Sequence, residues 1–294
     1  MHKSLTPAPS PIFIGGHVSV AGGLHKSIER GEHEEFNVIQ VFVTSPRSFR
    51  ITQYTEEQVD HFIELKRNSS IQKVFLHAIY LVNLASENAD LREKSIESLV
   101  HYLEMGERIG AEGTIVHVGN KSGEQSFEVV FRSVEEVLKR TEKSAPNQKF
   151  IVEGMASPKR IGGTLQDLVA FSQHFSGERV TFCLDTQHMY AAGVDVADSI
   201  AVQGFMDTFD AEIGLGRLSA FHVNDSKTAL GSYHDRHENI GQGAIGMEGF
   251  CNFFMVPSLR MVPLILETPG FGSDGPDKQN KDLLLQAITS GKCR

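Results

Sequence analysis

The sequence predicts one closed (β/α)8 TIM barrel with its active site at the C-terminal ends of the strands, and three observations carry that expectation. Eight short apolar or β-branched runs recur along the 294 residues, each closed by a polar residue. Stretches with apolar residues at three- and four-residue spacing lie between them. No linker interrupts the alternation, so a single domain is expected over residues 12–294, preceded by a flexible extension over residues 1–11.

The runs are IFIGGH (12–17), NVIQVFVT (37–44), KVFLH (73–77), GTIVH (113–117), KFIVE (149–153), VTFCLD (180–185), LSAFH (218–222) and VPLILE (262–267). Their near-continuous apolar character suits parallel strands covered on both faces. Among the intervening stretches, SIESLVHYLEMGERIG (95–110) turns Ile96, Leu99, Leu103 and Met105 toward one face and closes on Gly110. SFEVVFRSVEEVLKRTE (126–142) is rich in helix formers and ends in cations. Pro146-Asn147 and Ser176-Gly177 mark the turns into the fifth and sixth strands, and GFGSDGPDKQN (270–280) is the loop after the eighth.

An apolar content of 40 % is enough for a substantial core. No window is apolar enough for a membrane span, and MHKSLTPAPSP has no apolar run long enough for a secretory signal. Cys183, Cys251 and Cys293 are odd in number and far apart, which suggests neither a disulfide framework nor a thiolate metal site, so an intracellular, reducing setting is expected. The formal net charge of −9 argues against a protein that coats nucleic acid non-specifically, unless bound cations offset it.

The closing residues of the runs are His17, Thr44, His77, His117, Glu153, Asp185, His222 and Glu267. A barrel gathers its strand ends on one face, and all of these except Thr44 are metal-ligand types. Taken singly, a His or Glu at a strand end is more often a hydrogen-bonded or exposed residue. Recurrence on strand after strand is what favours a shared site. In LDTQHMYAAG (184–193), His188 follows Asp185 by three and can face the same cavity. In HDRHENIG (234–241), Asp235 and His237 fall on one side of an extended chain, and His234 and Arg236 on the other. That makes Asp235 and His237 a chelating pair and His234 a bystander.

The set then holds five imidazoles, His77, His117, His188, His222 and His237, and four carboxylates, Glu153, Asp185, Asp235 and Glu267. Without thiolates it suits Zn2+ or another borderline divalent ion, and nine ligands are too many for one ion. A cluster of two or three activates water near neutral pH and stabilises attacking and leaving oxygens of a phosphate ester together.

At these residues the chain resembles the endonuclease IV family of apurinic/apyrimidinic (AP) endonucleases. The resemblance runs from GGHVSVAGGL (15–24) to LILETPG (264–270) and is most specific in HAIYLVNLAS (77–86), LDTQHMYAAGVD (184–195) and HVNDSKTALGSYHDRHENIGQGAIG (222–246). It implies a TIM barrel with three zinc ions that cuts the phosphodiester 5′ to an abasic site in duplex DNA and leaves a 3′-hydroxyl. It further implies that His77, His117 and Glu153 hold the first zinc, that Glu153 bridges to a second completed by Asp185, His222 and Glu267, and that His188, Asp235 and His237 hold the third. Glu267 and Glu153 are the implied catalytic residues, with Glu267 placed to orient or deprotonate the attacking water. His17 corresponds to a family residue beside the ligands. Tyr80 and Arg47 match a Tyr and an Arg that enter the gap in the DNA, although Tyr80 also suits the core face of a following helix and Arg47 more simply contacts a phosphate. Arg50 is a further candidate for a phosphate.

Two features depart from the family's pattern. Gly154 to Pro158 replace the usual segment after the bridging Glu, and Phe49 stands where an indole is common in a chain without tryptophan. The acidic total predicts that basic side chains gather at the barrel's mouth. Two other readings compete: a two-metal sugar isomerase-like barrel, which leaves Asp235 and His237 without purpose, and a non-catalytic protein that binds damaged DNA around structural zinc, which would be expected to use cysteine. A monomer acting on abasic DNA and away from membranes is expected.

Overall fold

The computed structural model describes residues 12–290 apart from 122 and 124, so the expected extension over residues 1–11 lies outside the described residues. Ten strands are present among the described residues: β1 (Ile14–His17), β2 (Val38–Val41), β3 (Lys73–His77), β4 (Gly113–Val116), β5 (Lys149–Glu153), β6 (Val180–Asp185), β7 (Leu218–His222), β8 (Asp225–Ser226), β9 (His237–Glu238) and β10 (Leu264–Leu266). Eight close into a barrel in the order β1-β10-β7-β6-β5-β4-β3-β2, and β8 pairs with β9 as a separate ribbon. Every barrel pairing is parallel, the arrangement that helical crossovers impose.

The helices are α1 (Lys26–His33), α2 (Glu56–Arg67), α3 (Ala89–Ile109), α4 (Ser126–Arg140), α5 (Leu165–His174), α6 (Thr186–Ala191), α7 (Ser199–Glu212), α8 (Gly246–Phe253) and α9 (Lys278–Ser290). A reciprocal capping box between Thr55 and Gln58 starts α2. Helix α3 begins six residues before the predicted stretch, because the Asn88 side chain accepts from the Leu91 amide and caps it there. Its end is as expected: Gly110 takes a left-handed φ of 64°, where a side chain would be strained. Among the described residues, no helix is long and apolar enough to cross a membrane.

A plug of Val38, Phe75, Ile115, Ile151, Cys183, Ala220 and Ile265, with Phe13 packed against it, fills the barrel. Side chains alternate along a strand, so the residue two positions after each plug member also faces inward. Those residues are Gln40, His77, His117, Glu153, Asp185, His222 and Glu267. On β1 the path runs from Phe13 through Gly15 to His17, and a Cβ on Gly15 would collide with the Val38 carbonyl oxygen. Only glycine lets these two strands close.

Three sequence expectations change. The second strand ends at Val41, so Thr44 lies beyond it, where its hydroxyl is 3.2 Å from the Tyr102 hydroxyl. His117 and Glu267 each sit one residue past their strands. Cys251 is disulfide-bonded, a single bridge where the number and spacing of cysteines suggested no disulfide framework. Cys183 is free and buried in the plug.

Candidate metal centre

Above the plug a cavity of about 970 Å³ opens at the C-terminal ends of the strands, lined by His17, His77, His117, Tyr80, Asp235 and Glu267 among others. The strand ends supply most of the polar residues at its floor. Helix α6 adds His188, and the β8–β9 ribbon with its loop adds Asp235 and His237. The nine candidate ligands, from segments spread along the chain, therefore meet in one place.

They meet as three adjoining groups. Glu153 Oε2 lies 3.2 Å from His77 Nε2 and 2.8 Å from His117 Nε2. Its other oxygen, Oε1, is 3.0 Å from His222 Nδ1, which also faces Glu267 Oε2 at 3.4 Å and Asp185 Oδ2 at 3.8 Å. Asp235 directs Oδ2 at His188 Nε2 and Oδ1 at His237 Nε2, both at 3.3 Å, and Asp185 Oδ2 is 3.7 Å from the same His237 nitrogen. Asp185 thus touches both the second and third groups. Its other oxygen caps α6 by accepting from the Gln187 and His188 amides.

Hydrogen bonds on the far side of the rings fix which nitrogen faces the centre. His77, His188 and His237 donate from Nδ1 to the carbonyl oxygens of Ala78, Gly154 and Glu267, at 2.7, 2.8 and 3.2 Å. His222 donates from Nε2 to Gln40 Oε1 at 2.8 Å. In the neutral ring the opposite nitrogen then carries a lone pair, and each lone pair faces a carboxylate oxygen. Two acceptors in contact repel unless a proton or a cation lies between them. The buried Nε2 atoms of His188 and His237 have no hydrogen-bond partner. Ligands about 2.0–2.1 Å from a tetrahedral zinc stand roughly 3.3 Å from one another, close to the spacings found here. The donor set fits divalent metal.

The electrostatics agree. Burial alone would raise the Glu153 carboxyl, yet His117 and His222 hold it well below its ordinary value. Glu267, half-buried at the cavity floor, is likewise held down, by His222, His17 and His77. Burial would lower His188, but Asp185, Asp235 and Glu153 outweigh it and push the imidazole up to about 10. Such a field draws positive charge into the cup, and a cation supplies it without protonating the rings.

Other expected residues fall around this centre. His17 Nδ1 is 3.0 Å from Gln40 Nε2 and 3.7 Å from Glu267 Oε1, beside the ligand groups rather than within one. Tyr80 is 61 % exposed in the turn before α3, so its core reading fails; its ring meets Phe42 edge-on at the cavity rim. Arg47 is exposed on the loop after β2. His234 is exposed and its ring is in none of the three groups, but its carbonyl accepts from Gln187 Nε2 at 2.9 Å and Thr228 Oγ1 at 3.1 Å. Basic residues do not gather evenly at the mouth. Arg47 and Arg50 follow β2, Lys121 follows β4, Lys159 and Arg160 follow β5 and Lys227 and Arg236 follow β7, whereas Asp195 and Asp198 follow β6 and Asp274 and Asp277 follow β10.

Two residues at the centre were missed in the sequence. Gln40 donates to Glu267 Oε1 at 2.6 Å while accepting from His222, so one amide orients two candidate ligands. Its signal was an isolated polar residue two positions after Val38 inside an apolar run. Asn224 is only a loop polar group when read from the sequence. It donates to Asp185 Oδ2 and accepts from the Glu267 amide, both at 2.8 Å. The departure at 154–158 leaves the His188 contact intact, because Gly154 acts through its main-chain carbonyl.

Comparison with known proteins places this geometry. Residues 29–288 match the family model described as a xylose isomerase-like TIM barrel. A probable endonuclease 4 of Sulfurihydrogenibium sp. (strain YO3AOP1) is 34 % identical over 281 residues, covering 94 % of this chain and 99 % of that protein. The crystal structure of endonuclease IV from Thermus thermophilus aligns with a TM-score of 0.83 at 32 % identity, over 95 % of this chain and 100 % of the other. A D-tagatose 3-epimerase-like protein aligns with a TM-score of 0.71 over 94 % of this chain and 98 % of its own, and at 18 % identity it shares the fold alone. The chain belongs to the endonuclease 4 family of xylose isomerase-like TIM barrels.

Proposed function

We propose that this chain is a zinc-dependent DNA repair hydrolase that cuts the phosphodiester bond 5′ to an abasic site in duplex DNA and leaves a 3′-hydroxyl. The observation that carries the reading is the bridging position of Glu153, whose two oxygens face different histidines, Oε2 toward His77 and His117 and Oε1 toward His222. His77, His117 and Glu153 would hold a first ion, Glu153, Asp185, His222 and Glu267 a second, and His188, Asp235 and His237 a third. Bound there, the ions supply Lewis-acid charge at the phosphate and lower the pKa of water toward neutrality.

The chain's own residues do the rest by position. Glu267, held by Gln40, would orient the attacking water and accept its proton. An abasic sugar leaves the duplex at low cost because it has no base to unstack. The exposed ring of Tyr80 fills the gap it leaves, and Arg47 pairs with a backbone phosphate. The enzyme acts as a monomer. A two-ion sugar isomerase-like site would leave the Asp235 and His237 contacts with His188 unused.

The test is a duplex with a single tetrahydrofuran abasic analogue, which cannot undergo β-elimination. The zinc-loaded protein is expected to nick it 5′ to the analogue; binding without a nick defeats the proposal. His234→Ala is expected to cut within about twofold of the parent, as substitutions of exposed side chains usually do. A large loss would show that the ring, and not only its carbonyl, serves the site.

A further inference from the structure

The third candidate group is assembled from a helix and a loop. The Gly154 and Glu267 carbonyls hold the rings of His188 and His237. One further main-chain bond, from the Lys227 amide to the Arg236 carbonyl at 2.9 Å, extends the ribbon toward Asp235. Asp235 lies 48 % exposed on the loop between β8 and β9, and that ribbon has a ladder of only two pairs, Asp225 with Glu238 and Ser226 with His237. The far end of the loop is fastened to α6, the helix that carries His188. Two fastenings are main-chain bonds, from the Gly231 amide to the Tyr190 carbonyl at 3.1 Å and from the Tyr233 amide to the Ala191 carbonyl at 2.9 Å. The third is a side chain. Gln187, fully buried between Asp185 and His188, donates from Nε2 to the His234 carbonyl at 2.9 Å and to Ser226 Oγ at 3.2 Å.

Two further observations mark this contact as more than packing. Gln187 Oε1 is buried and has no hydrogen-bond partner, a cost that an apolar side chain of the same length would avoid. Turning the amide over gives no relief, since it would set Oε1 against the His234 carbonyl oxygen. Tyr233, one residue before that carbonyl, has a φ of 60°, a left-handed conformation that a non-glycine residue keeps only when its surroundings enforce it. The loop is held under strain. Thr228 Oγ1, within the loop itself, also donates to the His234 carbonyl at 3.1 Å, so Gln187 is the side chain that ties this point, from which Asp235 and His237 are aimed, to α6.

The geometry points to Gln187 as a positioning residue for the third cation: it fixes the His234 carbonyl and, through it, sets Asp235 and His237 against His188. This rests on reading those three residues as ligands. Loss of the amide lets the strained loop relax and spreads the third group, while the first two groups, built on strand ends, keep their places.

The test uses zinc-loaded full-length protein equilibrated with graded chelator, with zinc per chain measured by mass spectrometry and folding followed by circular dichroism. Gln187→Met keeps the length and removes the donor. Gln187→Asn keeps the amide but is one carbon too short, and serves if the Met variant does not fold. In either variant the most easily removed ion is expected to bind about 10–100-fold more weakly than in the parent, the usual scale for losing a group that orients a ligand, with the other two unchanged. Three ions held as tightly as in the parent, or all three weakened together, overturns the positioning role. A parent that holds no third ion overturns it as well, and the ligand reading with it; nicking of the tetrahydrofuran duplex by the parent tells these failures apart.

Discussion

Glu267→Gln is expected to lower the cutting rate on the tetrahydrofuran duplex by about 10²–10⁴-fold, the range for removing a positioned proton acceptor, while affinity for that duplex stays within several-fold. Gln40 Nε2 donates to Glu267 Oε1 at 2.6 Å, so the new amide must present its oxygen there and turn its NH2 toward His222 and the cavity. The side chain then keeps its shape and its anchor but offers neither a ligand oxygen nor a proton acceptor to the site. Rate measurements with excess enzyme, paired with binding anisotropy, separate the two effects. Cutting within tenfold of the parent would remove Glu267 from the reaction, and a matching collapse of binding would make its role one of assembly alone.

Removing the metal is expected to be more severe. Chelation should reduce cutting to background and zinc should restore it, since every proposed step depends on the charge the ions supply. Stability should follow a distinct pH pattern. In the metal-free chain, burial opposes the charge on His188 but Asp185, Asp235 and Glu153 raise it to about 10, and His222 is also raised well above 6.5. A raised imidazole contributes stability that is fully present below the unfolded value of 6.5 and is lost as pH climbs toward 10. Zinc replaces those protons, so it is needed most where they are gone. The melting difference between zinc-loaded and zinc-free protein should widen from pH 6.5 to 10, at roughly 1.5–2 °C per kcal/mol of linkage in a domain of this size. Melts that stay parallel across the window would contradict the charge balance derived for the site.

The barrel and its polar ring were legible for one reason. A strand buried on both faces is mostly apolar until it reaches the mouth, with small hydroxyl residues such as Thr114, Thr181 and Ser219 tolerated inside it. The His, Asp or Glu that closes a run therefore marks its end. His17, His77, Glu153, Asp185 and His222 close their strands in this way. The rule failed at β2, where Gln40 is polar within the run and the strand stops at Val41. There the period of two, counted from Val38, was the better guide. Spacing also separated Asp235 and His237 from His234, because alternation along an extended chain is a local property.

What spacing could not give was the set of partners. Asp185 ends one strand, His188 lies on a helix and Asp235 on a loop, and nothing in their order says that Asp185 stands between two groups or that Asp235 turns one oxygen to each of two rings. The contacts made by Gln40, Asn224 and Gln187 are of the same kind, bonds between elements distant in sequence. By itself the sequence determined that eight strands bury their sides and bring their ends to one mouth, since apolar periodicity is written residue by residue. Which lone pair meets which carboxylate was decided only by the tertiary structure, because that depends on barrel closure, ring tautomer and loop anchoring, and each is a relation between residues far apart in the chain.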